Sequence, residues 1–162
     1  MKCYLKIPSL SFMQEFKQHI INACKSHLEN KILSLNTIIK EVSESSNSES
    51  KSSAGDKHET SKAMMQLEIE KLGTQLKEAE LQLSEFEKIN FSKTIQTIEQ
   101  GSLVETNKGY FLIASSIGKI TVDDKTIFVI SSKSPLAVAF SGKQKENNVS
   151  FNGVQYMINA IY

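Results

Sequence analysis

The chain has no Arg and no Trp, and only two Pro and two Cys among its 162 residues. All nineteen basic residues are therefore Lys, against eighteen Asp and Glu, for a net charge of +1. Coating nucleic acid through the phosphate backbone needs clustered positive charge, and these lysines are scattered. Cys3 and Cys24 have neither metal nor redox spacing, so both are expected to be reduced thiols. Seven dispersed glycines leave no Gly-rich nucleotide cradle, and there is no Ser/His/Asp arrangement and no Cys/His cluster. No independent catalysis is expected. Apolar runs are a few residues long, too short for a membrane-spanning helix. The first ten residues, MKCYLKIPSL, lack the apolar core and small-residue cleavage site of a signal peptide. A cytoplasmic protein, a monomer without membrane contact, is the expectation.

What is present divides by texture. Neither Pro nor Gly occurs from Ser9 to Ala54. Pro8 and Ser9 read as a helix opening, and Ser11 with Gln14 has capping-box spacing. Leu28, Ile32, Leu35, Ile39 and Val42 alternate steps of four and three, with Ile21 and Cys24 joining after a slip in phase. A second stripe, Met65, Ile69, Leu72, Leu76, Ala79, Leu83 and Phe86, is more regular. This a/d seam is the pattern of a coiled coil. Lys and Glu fill the positions between, which suits a solvated outer face. Gly73 interrupts the stripe, and close approach of a second helix would explain it.

A polar stretch, residues 43–59, separates the stripes; seven of the eleven residues from Ser43 to Ser53 are Ser. Two apolar stripes separated by a short polar break predict an antiparallel helical hairpin. Its arms of roughly 30 residues would reach on the order of 45 Å at about 1.5 Å per residue. We assign residues 1–95 to this coiled-coil hairpin, with its tip near 45–60.

Residues 96–162 are richer in Val, Ile, Phe and Tyr, punctuated by turn signals at Asn107-Lys108-Gly109, Asp123-Asp124 and Asn147-Asn148. Asn152-Gly153, between Val149-Ser150-Phe151 and Val154-Gln155-Tyr156, is a strong hairpin signal. SPLAVAFSGK, residues 134–143, predicts a short helix, with Ser134 as N-cap, Pro135 at its first position and Gly142 at its end. The fold class expected is α+β: the helical hairpin, then a small antiparallel sheet of four or five strands with one short helix.

This order of parts resembles the bacterial Gre transcript-cleavage factors, over nearly the whole chain. Ser134-Pro135-Leu136-Ala137 followed by Gly142-Lys143 is similar to that family's SPIA-x-A-x-x-GK segment. Gly55-Asp56-Lys57-His58-Glu59 is similar to its tip motif, GD-x-x-E. The resemblance implies an FKBP-like sheet topology without prolyl isomerase activity. It implies RNA polymerase as the partner, with contact to nucleic acid only inside the elongation complex. The second domain would dock at the rim of the polymerase secondary channel, through Ser134, Pro135, Leu136 and Ala137 or the neighbouring strands. Asp56 and Glu59 would carry the catalytic assistance, helping to hold a Mg²⁺ shared with the polymerase, which then hydrolyses its own backtracked RNA. A non-cleaving regulator on the same scaffold, or a coiled-coil adaptor unrelated to transcription, are the alternatives.

The residues speak to that chemistry by themselves. Asp56 and Glu59 are three apart, so once helical they share a face. Negative charge is favoured at a helix N-terminus, and either acid could serve only that role. Carboxylates are hard oxygen ligands suited to Mg²⁺, which takes only one or two from a protein. His58 reads as a solvated loop residue. His19 and His27 have no acidic or Cys partner at metal spacing, and Met65 belongs to the seam.

Overall fold

A computed structural model describes residues 10–49, 55–93 and 96–162. Two long helices come first, α1 (Leu10–Glu49) and α2 (Gly55–Glu87). Six strands and one short helix follow: β1 (Leu103–Thr106), β2 (Gly109–Ala114), β3 (Gly118–Val122), β4 (Lys125–Ser131), α3 (Pro135–Phe140), β5 (Asn148–Phe151) and β6 (Val154–Ile161). The class is α+β. By contacts the chain forms two units, residues 26–84 and residues 1–25 with 85–162.

In the unit of residues 26–84, α1 and α2 share one apolar cluster. Leu35 of α1 and Leu72 and Ala79 of α2 are buried, and Ile32, Ile39, Val42 and Leu76 pack against them. Five residues separate the two helices, and such a link spans at most about 18 Å. Helices of this length that pack together across so short a link must run antiparallel. Lys and Glu between the seam positions stay exposed, and Lys71 meets Glu68 at 3.6 Å on that outer face. Such exposed pairs contribute little; the cluster of Leu35, Leu72 and Ala79 supplies the stability.

The helices take up more of the polar stretch than its composition suggested. α1 continues to Glu49, and only residues 50–54 of the expected turn lie outside the described residues. Ser is a middling helix former rather than a breaker, and here Ser45 Oγ donates back to the Glu41 carbonyl at 2.9 Å. At the other end α1 begins at Leu10, so Ser11 sits inside the first turn instead of capping it. Pro8 and Ser9 lie outside the described residues.

The second unit holds a six-stranded sheet in the order β3-β4-β2-β1-β6-β5. It is mixed, not wholly antiparallel: β2 and β4 pair in parallel, Tyr110 opposite Ile127 and Ile113 opposite Ile130. The cause is the tight β3–β4 turn, where Asp123 and Asp124 both have positive φ, 49° and 59°. It folds β4 back along β3 on the inner side, next to β2, so β4 runs in the direction of β2. The β5–β6 turn is the expected one. Asn152 and Gly153 have φ of 48° and 77°, and Phe151 pairs with Val154. That is the pair of left-handed residues a two-residue type I′ hairpin requires.

Alternation along the strands gives the sheet two apolar faces. One buries Val104, Phe111, Ile113, Val149 and Ile158 together with Ala137 and Phe140 of α3. Phe111 stacks on Phe128 at 5.3 Å and meets Phe140 edge-on at 5.5 Å. The strand neighbours Leu103, Leu112, Ile127 and Val129 point the other way and are also buried. The first turns of α1 lie on that side, with Phe16 edge-on to Tyr110 at 5.4 Å. This explains the phase slip in the first stripe. The buried apolar residues of α1 within this unit are Met13, Phe16, Ile20 and Cys24. Ile20, not Ile21, belongs to the face, because from Phe16 the spacing is a steady four.

Gly73 has no close neighbour. A Cβ built there meets nothing within 4 Å, so close approach of the partner helix is not its reason. Gly73→Ala should therefore raise stability by about 0.5–1 kcal/mol, since only the helix-propensity difference remains. Leu72→Ala, at a site 6% exposed, should lower it by about 2–4 kcal/mol. Urea unfolding followed by circular dichroism at 222 nm measures both.

Candidate functional site

The acidic pair falls at the start of α2. Gly55 opens the helix, so Asp56 and Glu59 both lie in its first turn, three positions apart on one face. Glu59 is exposed. The Asp56 side chain lies outside the described residues. The four N–H groups that begin a helix have no intrahelical partner and carry the positive end of its dipole, which stabilises carboxylates there. No group of three or more His, Cys, Asp or Glu gathers into a metal-binding cluster among the described residues. Two carboxylates at this spacing suit one hard divalent cation whose remaining ligands come from elsewhere.

The other predicted segment is built mainly for stability. Ser134 Oγ accepts from the Ala137 N–H at 3.3 Å and caps α3, and Pro135 occupies the first turn. Ala137 is 2% exposed and Leu136 packs against the same core. Pro135 and Val138 are the side chains of this helix that face water. The Ser141 N–H closes the helix on the Ala137 carbonyl, and Gly142, at φ 72°, turns the chain so that its N–H reaches the Ile98 carbonyl. Any docking role for this segment thus rests on Pro135 and Val138 more than on Ser134 or Ala137. The acidic pair belongs to residues 26–84 and the α3 segment to the sheet unit.

Three groups gain partners that sequence spacing did not reveal. His19, which showed no acidic neighbour along the chain, meets Asp123 at 3.0 Å. The partner is 104 residues away and is presented by the β3–β4 turn. Beside it the Lys125 ammonium lies over the rings of Phe16 and Tyr110, 4.5 and 5.2 Å from their centroids. Lys17, which the sequence reading did not single out, is buried. Its signal was its position four residues from Met13 and three from Ile20, inside the apolar stripe. Burial pushes the Cys24 thiol up to about 12, which makes it an unreactive core residue. A groove of about 320 Å³ runs beside the end of α2. Its Lys93 and Glu99 bond to each other at 2.5 Å, so they neutralise one another rather than forming a reactive centre.

No protein-family model matches the chain, and no curated protein is significantly similar to it.

Ser134→Ala should cost about 1 kcal/mol through loss of the α3 cap, while Pro135→Ala should cost less. Thermal unfolding of the two variants compares the two roles.

Proposed function

We propose that the chain is a Gre-like transcription elongation factor that acts inside RNA polymerase. In this reading the start of α2 enters the secondary channel and the sheet unit, FKBP-like in topology, docks at the channel rim. The observation that carries the reading is a two-carboxylate first turn on one of two paired helices, in a chain that ends in a sheet with a Ser134-capped helix. The adaptor alternative accounts for the paired helices but gives no reason for acids at Asp56 and Glu59.

The chemistry asked of these residues is limited. Asp56 and Glu59 would supply oxygen ligands to a Mg²⁺ whose other ligands belong to the polymerase. A Mg²⁺ held there lowers the pKa of a bound water and neutralises charge on the phosphate under attack. Glu59 is solvated in the free protein, so its carboxylate is available without unfolding anything. The helix start holds the two acids at a fixed spacing, which reduces the ordering needed when the site is completed. The seam behind them is independent of either acid, so removing a carboxylate should leave the fold intact.

A stalled, backtracked elongation complex tests this. The unmodified protein should accelerate cleavage of the RNA 3′ segment, more so as Mg²⁺ concentration rises. Asp56→Ala and Glu59→Ala should each lower the cleavage rate roughly tenfold or more, the scale seen on losing a group that stabilises transition-state charge, while polymerase still binds. Full cleavage by the double variant would overturn the assignment. Firm binding without cleavage by the unmodified protein would establish the non-cleaving regulator, and failure to capture polymerase would favour the adaptor.

A further inference from the structure

One face of α2 packs in the seam through Leu72 and Ala79. The opposite face carries apolar side chains that the fold leaves in water. Among the described residues, Met64 and Leu67 are the most exposed large apolar side chains, at 68% and 66%, and Leu81 is 59% exposed. Leu67, Thr74 and Leu81 are spaced by seven, nearly two full turns at about 3.6 residues per turn, so they form one line along the helix. Met64 lies beside it. The Thr74 hydroxyl donates back to the Glu70 carbonyl at 3.0 Å, so its proton is already engaged within the helix. All of these residues belong to the unit of residues 26–84. Apolar side chains gathered on the outside of an already packed helix mark an interaction surface.

The charges beside the line say what fits it. Glu70 and Lys77 flank it on one side, Lys71 and Glu78 on the other, and all four are exposed. Their order is symmetric about Thr74: acid, base, Thr74, base, acid. Within one copy these charges are little used. Lys71 reaches Glu68 at 3.6 Å and Glu70 accepts from Gln66 at 3.3 Å, while Lys77 and Glu78 have no ion pair among the described residues. A second α2 laid antiparallel on the first, with a two-fold axis at Thr74, uses them all. Leu67 then lies opposite Leu81 of the second copy, and Leu81 opposite its Leu67. The axis brings each side of the line against the same side of the second copy. Glu70 therefore comes within one residue of facing Lys77 of the second copy, about 1.5 Å along the helix, and Lys71 likewise meets its Glu78. The two-fold repeats each contact, giving four opposite-charge pairs around two leucine pairs. A parallel arrangement would instead gather Asp56 and Glu59 of both copies at one end, where like charges repel.

We propose that the outer face of α2 is a self-association surface, on which two copies of the chain pair antiparallel, Leu67 against Leu81 and Lys71 against Glu78. The occupant is a second copy because the charge order about Thr74 is its own complement, which an unrelated helix would have to match by chance. The apolar anchors are few, so the pairing is reversible and depends on concentration. The monomer expected from the sequence is then the dilute form. The inference stands apart from the transcription reading, since it needs no partner other than the chain itself.

Sedimentation equilibrium of the full chain should show a mass that rises with concentration from 18.1 kDa toward twice that value. Leu67→Glu and Leu81→Glu should each weaken association at least about tenfold, with unchanged circular dichroism, since both side chains face water in the single copy. Lys71→Glu alone should weaken it too, and Lys71→Glu combined with Glu78→Lys should restore it, because antiparallel pairing sets these two positions against each other. A second measurement needs no variant to fold. Carbodiimide coupling of mixed ¹⁴N- and ¹⁵N-labelled wild type should join Lys71 to Glu78 and Lys77 to Glu70 in peptides that combine both isotopes. A mass of one copy at every concentration, association indifferent to Leu67→Glu and Leu81→Glu, a combined exchange that fails to restore it, or links found only within one copy would each overturn the proposal.

Discussion

The apolar seam between α1 and α2 is the constraint on which the rest of the account depends. For helices of 40 and 33 residues, as for most helices in proteins, stability comes chiefly from packing one face. Leu35, Leu72 and Ala79 leave water together, with Ile32, Ile39, Val42 and Leu76 around them. Everything asked of the start of α2 presupposes that packing. The acids contribute nothing to it, which frees that turn to be chemically specific. The division of labour recurs in α3, where Ser134, Ala137 and Phe140 hold the helix and leave Pro135 and Val138 to the solvent.

Where an element is made by neighbours in sequence, composition reveals it. The α2 seam, the Ser134 cap and the Asn152-Gly153 turn are local patterns, and each has its structural counterpart. The mixed sheet is different. Nothing in GYFLIA or KTIFVIS tells which strand lies beside which, and the parallel β2–β4 pairing depends on how the Asp123-Asp124 turn folds β4 inward. The stripe of α1 shows the same limit. Its steps of four from Phe16 through Cys24 follow a face covered in the sheet unit, and without that unit the pattern reads as a slip in a coiled coil. Composition also overstated the Ser-rich break, because Ser45 bonds within the helix instead of ending it.

Site residues divide in the same way. Asp56 and Glu59 could be singled out because a helix start is legible and two acids three apart share its face. The pairing of His19 with Asp123 and the burial of Lys17 could not be found along the chain, since the partners lie 74 to 145 residues away. Lys17 carried one clue, a cation within an apolar stripe, and long charged side chains at such positions often cover apolar surface while keeping the charge in water. Here the amine is turned inward to main-chain oxygens, and burial pushes the Lys17 pKa down to about 8.

Position is the most direct test of the claim that the start of α2 works inside RNA polymerase. Ala63 is exposed and lies one turn beyond Glu59, so a photo-crosslinking residue at position 63 disturbs neither the seam nor the acids. Irradiated with a stalled elongation complex, it should form crosslinks at the polymerase active centre and to the 3′ end of the backtracked RNA. Crosslinks confined to the outer surface of the polymerase, or none in the complex at all, would contradict the account.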